Sequence, residues 1–302
     1  MKRSVFIQAN DKQLLAARVA AYAVRRNSRG SEEFDVQFVR VEDFPSLYGR
    51  AGERYLREGK PAIWSNDDLQ SFTPTRFLPP QLMGFEGRAV VIDPDVFAIA
   101  DIMQLFELDT RGKAILCRRI VPAGGGPPYW ATSVMVLDCA KLGHWRWDES
   151  IEEMFAFRRD YRDWMSLKLE QQETIGVLAD EWNHYDILTK ETKILHNTGR
   201  LTQPWKTGLP IDFSEMKNSG APMEGSWKVL ARALLRRLKC AARGDRYFPD
   251  GYYQPHPDPK QEEHFISLLR ECVRNGSIGV EEIRREMAKK HLRRDLLELL
   301  NA

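Results

Sequence analysis

The chain has 302 residues, 43% apolar and 29% charged, the make-up of a soluble globular protein with room for one large domain or a domain and an appendage. Lys and Arg number 45 against 43 Asp and Glu, a balance that argues against a chain-wide nucleic-acid footprint, and no nucleic-acid partner is expected. Cys117, Cys139, Cys240 and Cys272 lie far apart with no CxxC, which is neither a zinc knuckle nor a disulfide framework and suits a reducing, cytoplasmic compartment. The opening segment turns polar at Gln8, Asn10 and Asp11, too soon for a signal-peptide core. No run approaches the ~18 apolar residues of a membrane span.

Residues 4–8 read as a buried strand. Residues 11–27 read as a helix, with Leu14, Leu15, Val19 and Tyr22 at helical spacing and Asn10 or Asp11 as N-cap. Residues 34–41 begin with strand-like alternation, and 61–64 form a shorter strand. Arg88–Ile92 is an apolar strand running straight into Asp93-Pro94-Asp95. A short helix at 100–108, strands at 113–117 and 133–138, and a long charged helix over 150–169 follow. Strands alternating with helices predict an α/β fold with a mostly parallel sheet, whose ligands gather at the carboxyl ends of its strands. The Gly-Gly-Gly loop between Cys117 and Tyr129 lacks GxxxxGK and reads as a surface connector. Trp145, Trp147 and Trp164 read as core. From about Ser226 the chain turns to basic helical segments, so the expected domains are 1–220 and a helical C-terminal extension, 221–302.

Asp93-Pro94-Asp95 is the sharpest local feature. Two carboxylates one residue apart at a strand end can face the same site, because extended side chains alternate with period two. Mg²⁺ and Mn²⁺ prefer oxygen ligands, and such a pair can hold one against a diphosphate. Ionised carboxylates directly beyond a buried strand are costly unless paired or solvated. A second feature reads His196-Asn197-Thr198-Gly199-Arg200-Leu201-Thr202-Gln203-Pro204-Trp205 after a short apolar strand. Taken alone, His196 is more simply a satisfied strand-end histidine. Taken with the carboxylates, its imidazole adds a third ligand that suits Mn²⁺ better than Mg²⁺. Gly199 allows the backbone to approach a phosphate. An exposed Trp182 and Asn183 would suit a pocket wall, although a structural Trp182 is the simpler reading.

The strand with its D-x-D, the later H-x-x-G…P-W and an amino-terminal strand ending in Asn10-Asp11 together resemble the family 8 glycosyltransferases, over roughly residues 4–206. This family includes glycogenin and the lipopolysaccharide galactosyltransferases. The resemblance implies a GT-A fold and retaining transfer of a hexose from a UDP-sugar, with Mn²⁺ (or Mg²⁺), to a glycan or glycolipid acceptor. It implies that Gln8, Ala9 and Asn10 hold the uracil and ribose, and that Arg76 lies over the donor's phosphate or sugar. Asp93, Asp95 and His196 would be the metal ligands, with Gly199 beside the diphosphate and Thr132 on the sugar-pocket strand. Glu170 and Gln171 would lie near the anomeric carbon and the acceptor, completing a catalytic set with Arg76.

The chain departs from the family pattern at three of these positions. Thr132 stands for an Asn, Glu170 for an Asp, and Gln203 for the lysine before Pro-Trp. The last change removes a positive charge from the diphosphate, which Arg200 or Lys206 can supply. Retention allows either a carboxylate nucleophile, for which Glu170 is the candidate, or front-face attack, which the resemblance favours. The alternative function is a catalytically silent module that binds a sugar nucleotide or a protein, and Gln203 is its best support. An aspartyl-phosphate phosphatase would want Thr or Val where Phe97 stands. In the extension, residues 227–243 pattern as a basic amphipathic helix suited to peripheral contact with the cytoplasmic membrane face. Residues 258–302 read as two charged helices.

Overall fold

Seven residues with Val5, Phe6 and Ile7 at their centre make the first strand, β1 (Arg3–Ala9), and every one after Arg3 is buried. Burial on both faces requires cover on both sides, and two cores supply it. Val5, Ile7 and Ala9 face one core with Val90 and Ile92, while Phe6 faces the other with Ala89 and Val91. The period-two alternation of a strand is therefore read out as two apolar layers.

The computed structural model describes residues 1–122, 124–213 and 251–301, together with 234, 235 and 238. Its strands are β1, β2 (Asp35–Arg40), β3 (Arg54–Arg57), β4 (Lys60–Ile63), β5 (Arg88–Ile92), β6 (Val96–Ala98), β7 (Ile115–Ile120), β8 (Tyr129–Asp138), β9 (Ile175–Val177), β10 (His184–Tyr185) and β11 (Ile194–His196). The main sheet runs β2-β1-β5-β8-β7-β9. Its β1–β2, β1–β5 and β7–β9 pairs are parallel; β8 runs antiparallel to both neighbours. The expected α/β class with a mostly parallel sheet is what the chain adopts. A second sheet, β10-β11-β6, leaves the main one just beyond β5, and β3 pairs with β4 as a separate hairpin.

The helices are α1 (Leu14–Asn27), α2 (Pro45–Tyr48), α3 (Pro79–Leu82), α4 (Met103–Glu107), α5 (Trp147–Phe155), α6 (Tyr161–Met165), α7 (Pro259–Arg274), α8 (Val280–Ala288) and α9 (Leu296–Asn301). The expected helix over 150–169 is broken into α5 and α6. Phe157 takes a left-handed φ of 61°, which an α-helix does not accommodate. Asp160 then caps α6, its side chain accepting from the backbone N–H groups of Arg162 and Asp163. Trp145, Trp147 and Trp164 are buried in one core, as expected.

The helices after residue 258 share a core with the sheet. Phe265, Leu268, Leu269 and Cys272 of α7 belong to the apolar layer of α1 and β6. Phe265 lies 5.6 Å from the Phe97 ring and 5.0 Å from that of Trp205. The expected boundary at 220–221 and most of the basic helix 227–243 lie outside the described residues; Leu234, Leu235 and Leu238 are helical and exposed. No helix among the described residues is long and apolar enough to cross a membrane. Cys117, Cys139 and Cys272 are free and buried.

Because Phe265 is fully buried between two aromatic rings, Phe265→Ala is expected to cost about 3–5 kcal/mol. Urea unfolding would show it as a lower midpoint. A loss below about 1 kcal/mol would mean that α7 is not part of the cooperative core.

Candidate metal centre

The β5–β8 ladder continues one residue past β5, where the Asp93 backbone N–H donates to the Ser133 carbonyl at 3.1 Å. Asp93 is thereby held at the carboxyl end of a strand. The chain turns through Pro94 and Asp95 into β6, which pairs antiparallel with β11 so that Val96 lies opposite His196. The Asn197 N–H closes the turn on the Asp95 carbonyl at 3.0 Å. One carboxylate oxygen from each of Asp93 and Asp95 and one nitrogen of His196 lie within 4.8 Å of one another.

The His196 ring is oriented from behind. The Asn183 amide oxygen accepts from Nδ1 at 2.9 Å, and the Asn183 amide nitrogen donates to Ser133 Oγ at 3.1 Å. With the proton on Nδ1, Nε2 presents a lone pair toward Asp95 Oδ1, 3.4 Å away. Asp95 Oδ1 is buried and has no hydrogen-bond partner. A proton on Nε2 or a shared cation would relieve the repulsion between that lone pair and the carboxylate oxygen, and the three clustered donors fit a divalent ion. Two carboxylates and one imidazole are a borderline set that suits Mn²⁺. Tyr185, paired with His196 across β10–β11, lays its ring at 89° to the imidazole, 5.1 Å away. Burial pushes its phenol up to about 12 against the hydrogen bond from Ser133, so the hydroxyl stays neutral.

Asp93 is also engaged by Arg76. The guanidinium Nε donates to Oδ1 at 2.8 Å and the NH2 nitrogen to Oδ2, while NH1 donates to Thr132 Oγ1 at 2.9 Å. Thr132 in turn donates to the Met165 carbonyl at 2.9 Å. Burial alone would disfavour the charge on Arg76, but the Asp93 carboxylate outweighs it and raises the Arg76 pKa. Burial pushes the Asp93 carboxyl up, with Arg76 working against it.

These residues floor a cavity of about 230 Å³ that also takes in Gln13, Arg57, Gln70, Tyr161, Arg162, Thr198, Arg200 and Gln203. Arg76, Asp93, Asp95, Thr132, His196 and Gln203 are thus brought together. Gln8, Ala9 and Asn10 are buried at the end of β1 outside its lining; Asn10 donates to the Leu69 carbonyl and Ser71 Oγ, and both amide atoms of Gln8 lack partners. Gly199 lies between two lining residues, where a Cβ would collide with the Thr202 hydroxyl. Of the two cations weighed against Gln203, Arg200 lines the cavity, bonded to Gln70 Oε1. Lys206 is fully buried on Asp212 at 2.7 Å.

Glu170 lines a different cavity, of about 290 Å³, with Phe77, Trp145 and Trp164. Its oxygens meet His144 Nε2 at 2.7 Å and Trp145 Nε1 at 2.9 Å. Gln171 is exposed. Trp182 is buried in the core, as its simpler, structural reading expects, and the alternative of an exposed wall is corrected: Asn183 too is buried, on His196. The roles of Asn183, Tyr185 and Arg57 escaped the sequence reading. Only the proximity of Asn183 and Tyr185 to the histidine strand hinted at theirs.

No protein-family model matches the chain, and neither does any curated protein. Solved structures do. The bifunctional glycosyltransferase WbbM is 13% identical at a TM-score of 0.46, over 68% of this chain and 47% of that one. The glycosyltransferase GlyE of Streptococcus pneumoniae TIGR4 is 16% identical at 0.47, over 68% of this chain and 56% of its own. The galactosyltransferase LgtC, solved with donor and acceptor sugar analogues, is 13% identical at 0.45, over 67% and 89%. The chain spans about half the length of the first two.

If Asn183 sets the His196 tautomer, Asn183→Leu is expected to weaken Mn²⁺ binding about 10- to 100-fold. The lost bonds to buried polar groups would also cost about 1–3 kcal/mol of stability. Calorimetric Mn²⁺ titration of the folded variant checks this, and an unchanged affinity would mean that Asn183 does not set the ligating form of His196.

Proposed function

We propose that the chain is a metal-dependent glycosyltransferase of the GT-A kind, moving a hexose from a UDP-sugar to a glycan or glycolipid acceptor with retention of configuration. The observation that carries this reading is the Asp93–Asp95–His196 group, with its unpartnered Asp95 oxygen, set in a cavity that also holds Arg76 and Arg200. Asp93, Asp95 and His196 would hold Mn²⁺ (or Mg²⁺), which when bound neutralises charge growing on the departing diphosphate. Arg200 offers its guanidinium fork to phosphate oxygens. Thr132 fixes Arg76 rather than the sugar, since its hydroxyl is already engaged on both sides. Gln203, with a buried Oε1 that has no partner, is a hydrogen-bonding wall for the nucleotide, whereas Gln8 and Asn10 lie buried outside the lining.

Both oxygens of Glu170 are occupied in another cavity, which disfavours it as a nucleophile and favours front-face attack guided by the leaving phosphate. The second reading, a catalytically silent sugar-nucleotide module, draws on the hold of Arg76 over both Asp93 oxygens.

Release of UDP from a panel of UDP-sugars with Mn²⁺ separates the two. The transferase is expected to release UDP, and Asp95→Ala to lower the rate by about 10²-fold or more. Binding without release supports the silent module. If neither UDP nor any UDP-sugar shifts the melting temperature in the presence of Mn²⁺, both readings fail.

A further inference from the structure

We infer that the cavity contains a second anion subsite, centred on Arg57, for a carboxylate or phosphate carried by one of the sugars the protein handles. The inference rests on the transferase reading and adds to it the charge of the substrate.

Arg57 closes β3 and lines the cavity half-buried. One of its nitrogens donates to the Tyr55 hydroxyl at 3.3 Å, and its guanidinium lies 4.9 Å from the centre of the Tyr161 ring. Among the described residues no carboxylate lies within ion-pair distance of it, and Asp68 acts on it only as a more distant charge. Arg162 stands beside it, its side chain half exposed, and its acidic neighbour Glu58 is 3.8 Å away. The wall that carries them is rigid. The Gly59 N–H of the β3–β4 hairpin donates to Asp160 Oδ2 at 2.8 Å, and Asp160 caps α6. A guanidinium held between an aromatic face and a hydroxyl, with most of its N–H donors unpartnered, is pre-organised for a bidentate anion. Withdrawing such a charge partly from water without a counter-ion is costly.

Charge balance separates this subsite from the diphosphate. Among the described residues, Asp93 and Asp95 are the only carboxylates in the lining. Together with the two charges of a nucleoside diphosphate ester, they are offset by a divalent ion, Arg76 and Arg200. Arg57 is then in excess, with Arg162 beside it shared with Glu58, on a wall built from the hairpin and α6, whereas Arg200 comes from the loop after β11. A neutral donor and a neutral acceptor would leave that excess unanswered. The missing anion can belong to the donor sugar or to the acceptor.

Equilibrium binding to the full chain with Mn²⁺ at constant ionic strength tests both sources. One arm compares UDP-glucuronate with UDP-glucose. The other compares glucose 6-phosphate with glucose, with saturating UDP and again without it. In at least one arm the anionic ligand is expected to bind about tenfold tighter, a difference of about 1.4 kcal/mol. The arm that responds identifies the source. Arg57→Gln is expected to erase the preference, and Arg57→Lys to keep part of it. A merely structural Arg57 would weaken both members of each pair alike. No preference in either arm, or a preference that survives Arg57→Gln, overturns the subsite. Loss of all UDP binding, with a glucose 6-phosphate preference that still depends on Arg57, would overturn the transferase reading and leave the subsite standing.

Discussion

The chemistry available to this molecule depends on one backbone pairing, Val96 against His196, between two very short strands. Asp93 belongs to the ladder of the main sheet and His196 to the smaller one, and Asp95 occupies the turn between them. The shape of the ligand group is therefore set by how the second sheet departs from the first. Ser133 keys the two sheets together. Its carbonyl takes the Asp93 N–H, and its hydroxyl takes the Asn183 amide that orients His196. A shift of one residue in β11 would turn the imidazole to the opposite face of the strand.

Around that pairing the electrostatics are unusually crowded. Asp93 meets a guanidinium on one side and the Asp95–His196 pair on the other, all nearly shut off from water. A carboxylate has lone pairs enough to serve both an arginine and a cation. A buried ion pair adds little net stability but is expensive to break on one side only. The Arg76–Asp93 pair is best understood as positioning. It locks the carboxylate in one orientation before any ligand arrives, so little reorganisation is left for binding.

The ligand group was legible in the sequence because each part carries its own local signature: an apolar strand ending in two carboxylates, and another ending in a histidine. The main sheet was legible for the same reason, since β1, β5 and β8 each carry an apolar run, residues 5–7, 89–92 and 134–137. The break between α5 and α6 was not, because it turns on Phe157, a residue with no intrinsic leaning toward left-handed backbone. Asn183 looked like surface because an amide is usually exposed, and only the fold reveals the two buried partners that make it internal. Arg57 carried no signal. An arginine after a tyrosine and a leucine is ordinary until the hairpin folds it onto Tyr161. Glu170 lay near a family motif in order along the chain, yet neighbouring positions in sequence end in separate cavities.

The loop that carries Thr198, Arg200 and Gln203 is held from the far end of the chain. Arg293 donates its backbone N–H to the Trp205 carbonyl and a guanidinium nitrogen to that of Pro204. Asn197 donates to Gln261, and His256 meets Asp186, which in turn binds Thr198. During synthesis all strands of the six-stranded sheet have been made by Val177, but Phe265, Leu268 and Leu269 of α7, which complete one of its two apolar layers, emerge only later. The loop of Thr198, Arg200 and Gln203 cannot take up these bonds until residues as late as Arg293 have left the ribosome. Core and loop are then completed in one late step, and a chain cut short before α7 would lack both part of the cover of its sheet and the anchor of this loop.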